Sequence, residues 1–243
     1  MGFLVVPADV AFRIDLPHGR CVGVRISASA EKAIHSDLAE LAEEERSFLE
    51  TLSPARKPTW LAGRIAMHAA LHDLGIDHGP IFATHQGAPA MPETATGSIS
   101  HKRTLAVALA ARKLDGLSLG VDIEPVPAQP PVPNEAAWDN RPDISSRVMT
   151  PEELARLAAF PERSRRREVV LHFSIKEALY KAINPLIGRY VSFQEATVLP
   201  HPDGSVEVAL ALSKNEGPFA AEARWSEIDG HLLVTAAVRP RKN

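Results

Sequence analysis

Two carboxylates sit one residue apart in the stretch GVDIEPV: Asp122 and Glu124. Successive side chains on a strand point to opposite faces, so residues two apart share one. If the stretch is a strand, Val121 and Ile123 face one way and both acids the other. Like charges held side by side repel, and a divalent cation is one way to offset them. Magnesium takes one or two protein carboxylates and completes its shell with water and phosphate oxygens. A solvated acidic strand end is the plainer reading of the same residues.

Three other groups could do chemistry. In FSIKEALYKA (Phe173 to Ala182), a helix puts Glu177 and Lys181 on one face, and Lys176 and Tyr180 on another. The ordinary meaning is a surface pair contributing about 0.3–0.5 kcal/mol. The chemical meaning is a third metal ligand or base at Glu177, with Lys181 facing phosphate. GSISHK (Gly97 to Lys102) ends a short strand on His101, which can contact a phosphate or take a proton. Its neighbour Ser100 points the other way, and no G-x-S-x-G elbow is present, so a serine nucleophile is not indicated. Upstream, Arg56, Lys57 and Arg64 supply positive charge. Arg64 lies within a small, apolar helix, and arginine suits bidentate phosphate contact.

These residues need elements to hold them. Met1 to Ile26 alternates loosely, as short strands do. Ser36 to Leu52 reads as a surface helix ended by Ser53-Pro54. Trp60 to Leu74 is a stronger helix: Leu61, Ile65, Ala69 and His72 trace one stripe, with Ala66, Ala70 and Leu74 beside it, and Gly75 caps it. A strand pair follows, SISH into LAVALAA, then LSLGVDIE after the turn Lys113 to Gly116. Val126 to Pro142 is a proline-dense loop. Thr150-Pro151-Glu152-Glu153 is a helix start, with threonine as N-cap. Glu168 to Ile183 is the second strong helix. Val191 to Val238 reads as antiparallel strands with turns at Asp203-Gly204 and Asp229-Gly230. A helix before strands ending in LAVALAA is echoed by a helix before strands ending in LLVTAAV. Two similar α+β halves are therefore expected, residues 1–117 and 118–243.

The bulk numbers narrow the classes. An apolar share of 45% over 243 residues supports a sizeable core, and a net charge of −3 gives no bulk case for nucleic-acid binding. The single cysteine, Cys21, excludes an internal disulfide and a multi-cysteine zinc site. No apolar run approaches membrane-spanning length, and the N-terminus lacks the shape of a signal peptide. A cytoplasmic protein without membrane contact is the expectation.

Taken singly these motifs are common; their order is not. SISH, then GVDIE, then FSIKEALYKA resembles the 4′-phosphopantetheinyl transferase superfamily. The helix from Arg64 to Gly75 and the turn GAPAMP resemble its EntD-like, siderophore-associated (Sfp-type) branch. The resemblance implies two α+β halves about a pseudo-twofold axis, with the active site in the cleft between them. It implies that Asp122, Glu124 and Glu177 bind Mg2+ (or Mn2+) bridging the pyrophosphate of coenzyme A. Arg56 and Arg64 match positions holding the adenosine phosphates, Ser100 and His101 the strand end contacting coenzyme A, and Lys181 the lysine beside the pyrophosphate. Glu177, Lys181 and His101 are then the catalytic candidates, with Glu177 deprotonating the acceptor serine directly or through a metal-bound water. The acceptor is an apo acyl, aryl or peptidyl carrier protein, and RSRRR (Arg163 to Arg167), just before the second strong helix, is a candidate docking patch. A monomer is expected from the family.

Several positions depart from the family pattern. Gln86 stands where a basic residue often precedes the turn, Met91 replaces a usual tryptophan, and Lys102 follows His101 where cysteine is common. Two competing readings are a non-catalytic coenzyme A or carrier-binding protein of the same fold, and an unrelated magnesium-dependent phosphohydrolase.

Overall fold

The computed structural model describes residues 10–26, 41–127 and 143–241. Two antiparallel sheets organise them. The first contains β1 (Val10–Leu16), β2 (Gly19–Arg25), β3 (Ala95–His101) and β4 (Leu105–Arg112), in the order β1-β2-β4-β3. The second contains β5 (Ser118–Pro125), β6 (Ala196–Pro200), β7 (Ser205–Leu210), β8 (Phe219–Ile228) and β9 (His231–Pro240), in the order β5-β9-β8-β7-β6. The helices are α1 (Glu43–Thr51), α2 (Lys57–Asp73), a single turn α3 (Ser145–Val148), α4 (Pro151–Leu157) and α5 (Glu162–Ile187). The expected α+β class holds: α2 packs on the first sheet and α5 on the second.

Period-two alternation explains how each sheet serves two neighbours. On β4, Ala106, Ala108 and Ala110 meet α2, while Leu105, Val107 and Leu109 turn to the other half. On β5, Leu119, Val121 and Ile123 join those leucines in a shared apolar seam, with Cys21 and Leu233. Asp122 and Gly120 are left facing α5. Gly120 is required there: a Cβ would fall inside the carbonyl oxygen of Ala178, so the backbones of β5 and α5 are in direct contact. The edge strand β5 also meets edge strand β3, where the Val121 N–H donates to Ser98 Oγ at 3.1 Å.

α2 starts at Lys57, three residues before the expected start, with Pro58 in its first turn. It is buried on nearly every face rather than along one stripe, because its small residues let it sink between the sheet and α1. His72, expected on the buried stripe, is exposed near the helix end, and Gly75 follows at φ 63°. α1 covers only the end of the expected Ser36–Leu52 helix; residues 36–40 lie outside the described residues, as do 128–142 of the proline-dense loop. The Thr150 cap is present: its Oγ1 accepts from Glu153 N at 3.4 Å, and Thr150 N donates to Glu153 Oε2 at 2.7 Å. α5 is longer than expected at both ends. RSRRR contains no helix breaker and forms the first turns of α5 instead of preceding it. Gly188, at φ 70°, closes the other end. The four C-terminal strands form as expected, and Asp229-Gly230, both at positive φ, make the two-residue hairpin turn.

Candidate active site

β5 and α5 bring the separated motifs together. Asp122 is buried between the halves. Its Oδ1 accepts from Ser100 Oγ and from Lys181 Nζ, each at 2.9 Å, and its Oδ2 accepts from Ser174 Oγ at 2.9 Å. Lys181 places its remaining N–H groups on Ser100 Oγ (3.0 Å) and on the carbonyl of Val121 (2.9 Å). The amine expected to face phosphate is therefore turned inward, while the side chain still lines the cleft. Glu124 meets Lys102 Nζ at 2.6 Å. Lys102 is thus committed to a carboxylate.

Glu177 projects from α5 toward the same acids. Burial raises its pKa above the ordinary carboxylate range, and the negative charge of Asp122 raises it further, against the opposing pull of Lys181 and Lys102. Glu124 is also raised, first by burial and then by Asp122, although Lys102 and Lys181 pull it down. The three carboxylates therefore feel one another as like charges. Among the described residues no three acidic, histidine or cysteine side chains converge as a preformed cation cage. Asp122 and Glu124 are engaged by lysines of the protein itself. The donor chemistry of the three side chains, hard carboxylate oxygens, is the type that a magnesium-type ion takes.

Beside the acids lies a cleft of about 510 Å³, walled by α1 and α2 on one side and α5 on the other. Arg56, Trp60, Arg64, His101, Tyr180 and Lys181 line it. Arg64 is buried in the wall, its guanidinium 4.9 Å from the centre of the Trp60 ring, and its Nε has no hydrogen-bond partner among the described residues. His101 is exposed at the end of β3. Packing against the wall, then the charges of Lys181, Lys102, Arg56 and Arg64, hold its pKa below the usual histidine value. Arg56 and Arg64, lining the cleft with His101, make this end attractive to a polyanion.

Family models match the chain in two pieces. The 4′-phosphopantetheinyl transferase N-terminal domain matches residues 43–111, and the 4′-phosphopantetheinyl transferase superfamily matches residues 118–236. The chain is 32% identical over 203 residues to the 4′-phosphopantetheinyl transferase Svp of Streptomyces mobaraensis, covering 79% of this chain and 76% of that one. It is 32% identical over 207 residues to enterobactin synthase component D of Salmonella typhimurium (84% and 81%). It is 26% identical over 204 residues to PptT of Mycobacterium tuberculosis (80% and 84%). The chain belongs to the 4′-phosphopantetheinyl transferase superfamily. It is an enzyme, a transferase, and an EntD-like protein is among its relatives.

Four contributors to this transferase's site are absent from the sequence reading. Ser174, three residues before Glu177 and so on the same helix face, holds Asp122. Ser98, two residues before Ser100 and so on the same strand face, holds Val121. Those spacings carry the signal. Trp60 under Arg64 is an i, i+4 pair that the helix pattern also contains. The pairing of Lys102, just after β3, with Glu124 on β5 has no local signature.

Proposed function

We propose that this transferase moves 4′-phosphopantetheine from coenzyme A to a serine hydroxyl of an apo carrier protein. The observation that carries the proposal is the juxtaposition of a cleft lined by Arg56, Arg64 and His101 with the acidic residues Asp122, Glu124 and Glu177. A polyphosphate substrate needs the first, and charge neutralisation and proton removal at phosphorus need the second.

Arg56 and Arg64 hold the adenosine phosphates, with the Trp60 ring fixing the Arg64 guanidinium. His101 contacts coenzyme A phosphate, and Lys181 adds positive charge behind the pyrophosphate. Asp122, Glu124 and Glu177 would hold Mg2+, for which Mn2+ can substitute. When bound, the ion offsets the charge on the pyrophosphate oxygens. The carrier serine Oγ bonds to the β-phosphorus, the bond from that phosphorus to the bridging oxygen breaks, and 3′,5′-ADP leaves. Glu177 takes the serine proton.

Residues 1–117 and 118–243 act as the two halves of the site, in a monomeric, cytoplasmic protein serving siderophore, non-ribosomal peptide or polyketide synthesis. Of the RSRRR patch, Arg165 caps the carbonyls of Ala158 and Phe160, and Arg167 is spent on Glu227 and the Trp225 ring. Arg163 is therefore the better-placed member of the patch for a carrier. The test is the intact mass of an apo carrier after incubation with coenzyme A and Mg2+. A phosphopantetheine-sized increase is expected. It should fall at least about 100-fold in rate in Glu177→Ala and Asp122→Ala. No increase on siderophore, polyketide and fatty-acid carriers alike would overturn the proposal.

A further inference from the structure

We infer that Ser100 and Ser174 are positioning residues that clamp Asp122 from opposite halves of the protein, and that Ser100 is not a phosphate ligand. The inference rests on the proposed metal role of Asp122 and departs from what the family resemblance implies for Ser100.

Counting protons decides the point for Ser100. A serine hydroxyl has one proton to give. A carboxylate only accepts and an ammonium only donates, so the partners fix the directions. Ser100 gives its proton to Asp122 Oδ1 and receives one from Lys181 Nζ. What remains is a lone pair, which is useless to a phosphate oxygen that itself needs a donor. Ser100 is also only 6% exposed, and it points away from His101, its exposed neighbour on β3.

Ser174 is fully buried and gives its own proton to Asp122 Oδ2 at 2.9 Å. Asp122 thus has one hydroxyl on each oxygen, one from β3 of the first sheet and one from α5 of the second half. Two fixed donors on two oxygens set the rotation of the carboxylate plane. Lys181 adds charge to Oδ1 but cannot set that plane alone. The orientation of the Asp122 carboxylate is therefore imposed by the hydroxyls. Groups that orient a metal-binding side chain in this way typically change metal affinity by about 10- to 100-fold when removed.

The experiment uses the full chain with Mn2+ alone as the metal probe, read by electron paramagnetic resonance. Coenzyme A binding is measured separately by calorimetry in the presence of chelator. Ser100→Ala and Ser174→Ala are each expected to weaken Mn2+ binding about 10- to 100-fold. Both should leave the chelator Kd for coenzyme A within about twofold, since neither hydroxyl has a proton free for phosphate. In turnover, kcat should fall while KM for coenzyme A holds. Each variant only removes an oxygen, and two separate sites keep the test open should one fail to fold. Unchanged Mn2+ affinity in the folded variants overturns the clamp. A loss of coenzyme A affinity in Ser100→Ala under chelator overturns the assignment of Ser100. Wild-type protein that takes up no Mn2+ overturns the inference as a whole. Wild-type protein that binds Mn2+ but modifies no carrier sinks the transfer reading, and the Mn2+ titrations still decide the clamp.

Discussion

Gly120 lies directly against the carbonyl of Ala178, with no room for a side chain between β5 and α5. That contact sets the height of α5 above the sheet, and hence how far Glu177 and Lys181 reach toward Asp122. Gly120→Ala must push the helix away or strain both backbones. Overpacking of this kind costs about 1–3 kcal/mol and sometimes more. We expect a lowered urea midpoint with an unchanged slope, and a loss of transfer larger than the loss of folded protein explains.

Lys176 is the buried counterpart of Lys181 and has a different task. Its Nζ meets Glu153 Oε2 at 2.7 Å and the carbonyls of Val148 (2.8 Å) and Phe193 (2.9 Å), tying α3, α4 and the segment after α5 to the helix. Removing one partner of a buried pair leaves the other charge unmatched, at about 3–5 kcal/mol. Lys176→Met should lower stability by that amount in urea denaturation. Activity per folded molecule should survive, because no atom of Lys176 reaches the cleft.

His101 supplies a pH signature. Its depressed pKa means that the folded state resists the proton which the unfolded chain accepts near the ordinary value of 6.5. As pH falls through that value, the unfolded state gains protons first and stability declines. Above it the effect vanishes. Nuclear magnetic resonance titration of the imidazole should place its midpoint below 6.5, and Arg64→Ala should move the midpoint upward by removing one of the four cations.

Glu45 acts in the same direction at lower pH. It is fully buried on α1. Burial pushes its pKa up, but His68 and the N–H groups of Ile81 and Ala42 pull it down more strongly, leaving it below the usual value. Its contribution to stability is complete above the ordinary carboxylate range and is lost as pH falls through the depressed value. Glu45→Gln should cost about 1–3 kcal/mol near neutrality. It should also flatten the acid side of a melting-temperature profile recorded from pH 3 to 7.

The elements were readable because period and punctuation are local. The helix under Leu61, Ile65 and Ala69, the Thr150 cap and the Asp229-Gly230 turn are each written in a few adjacent residues. The site was readable as four motifs in order. Their mutual contacts were not, because these cross between halves. Nothing near Lys181 in sequence reveals that its amine turns onto Asp122, and nothing near Lys102 reveals Glu124. His72 was placed on the buried stripe because a helical wheel does not show where a helix leaves the body of the protein. RSRRR lies inside the helix although apolar periodicity begins only after it, because the backbone stays helical until a breaker stops it.

The pairing of β5 with β9 along its whole length has a consequence for the order of synthesis. Asp122 and Glu124 are made well before the strand that holds theirs in place, His231 to Pro240. On the ribosome, β5 remains an unpaired edge until that last strand has emerged. A nascent chain that already contains Arg56, His101, Asp122 and Glu177 would still be unable to modify a carrier. Activity would switch on once β9 has emerged and paired with β5.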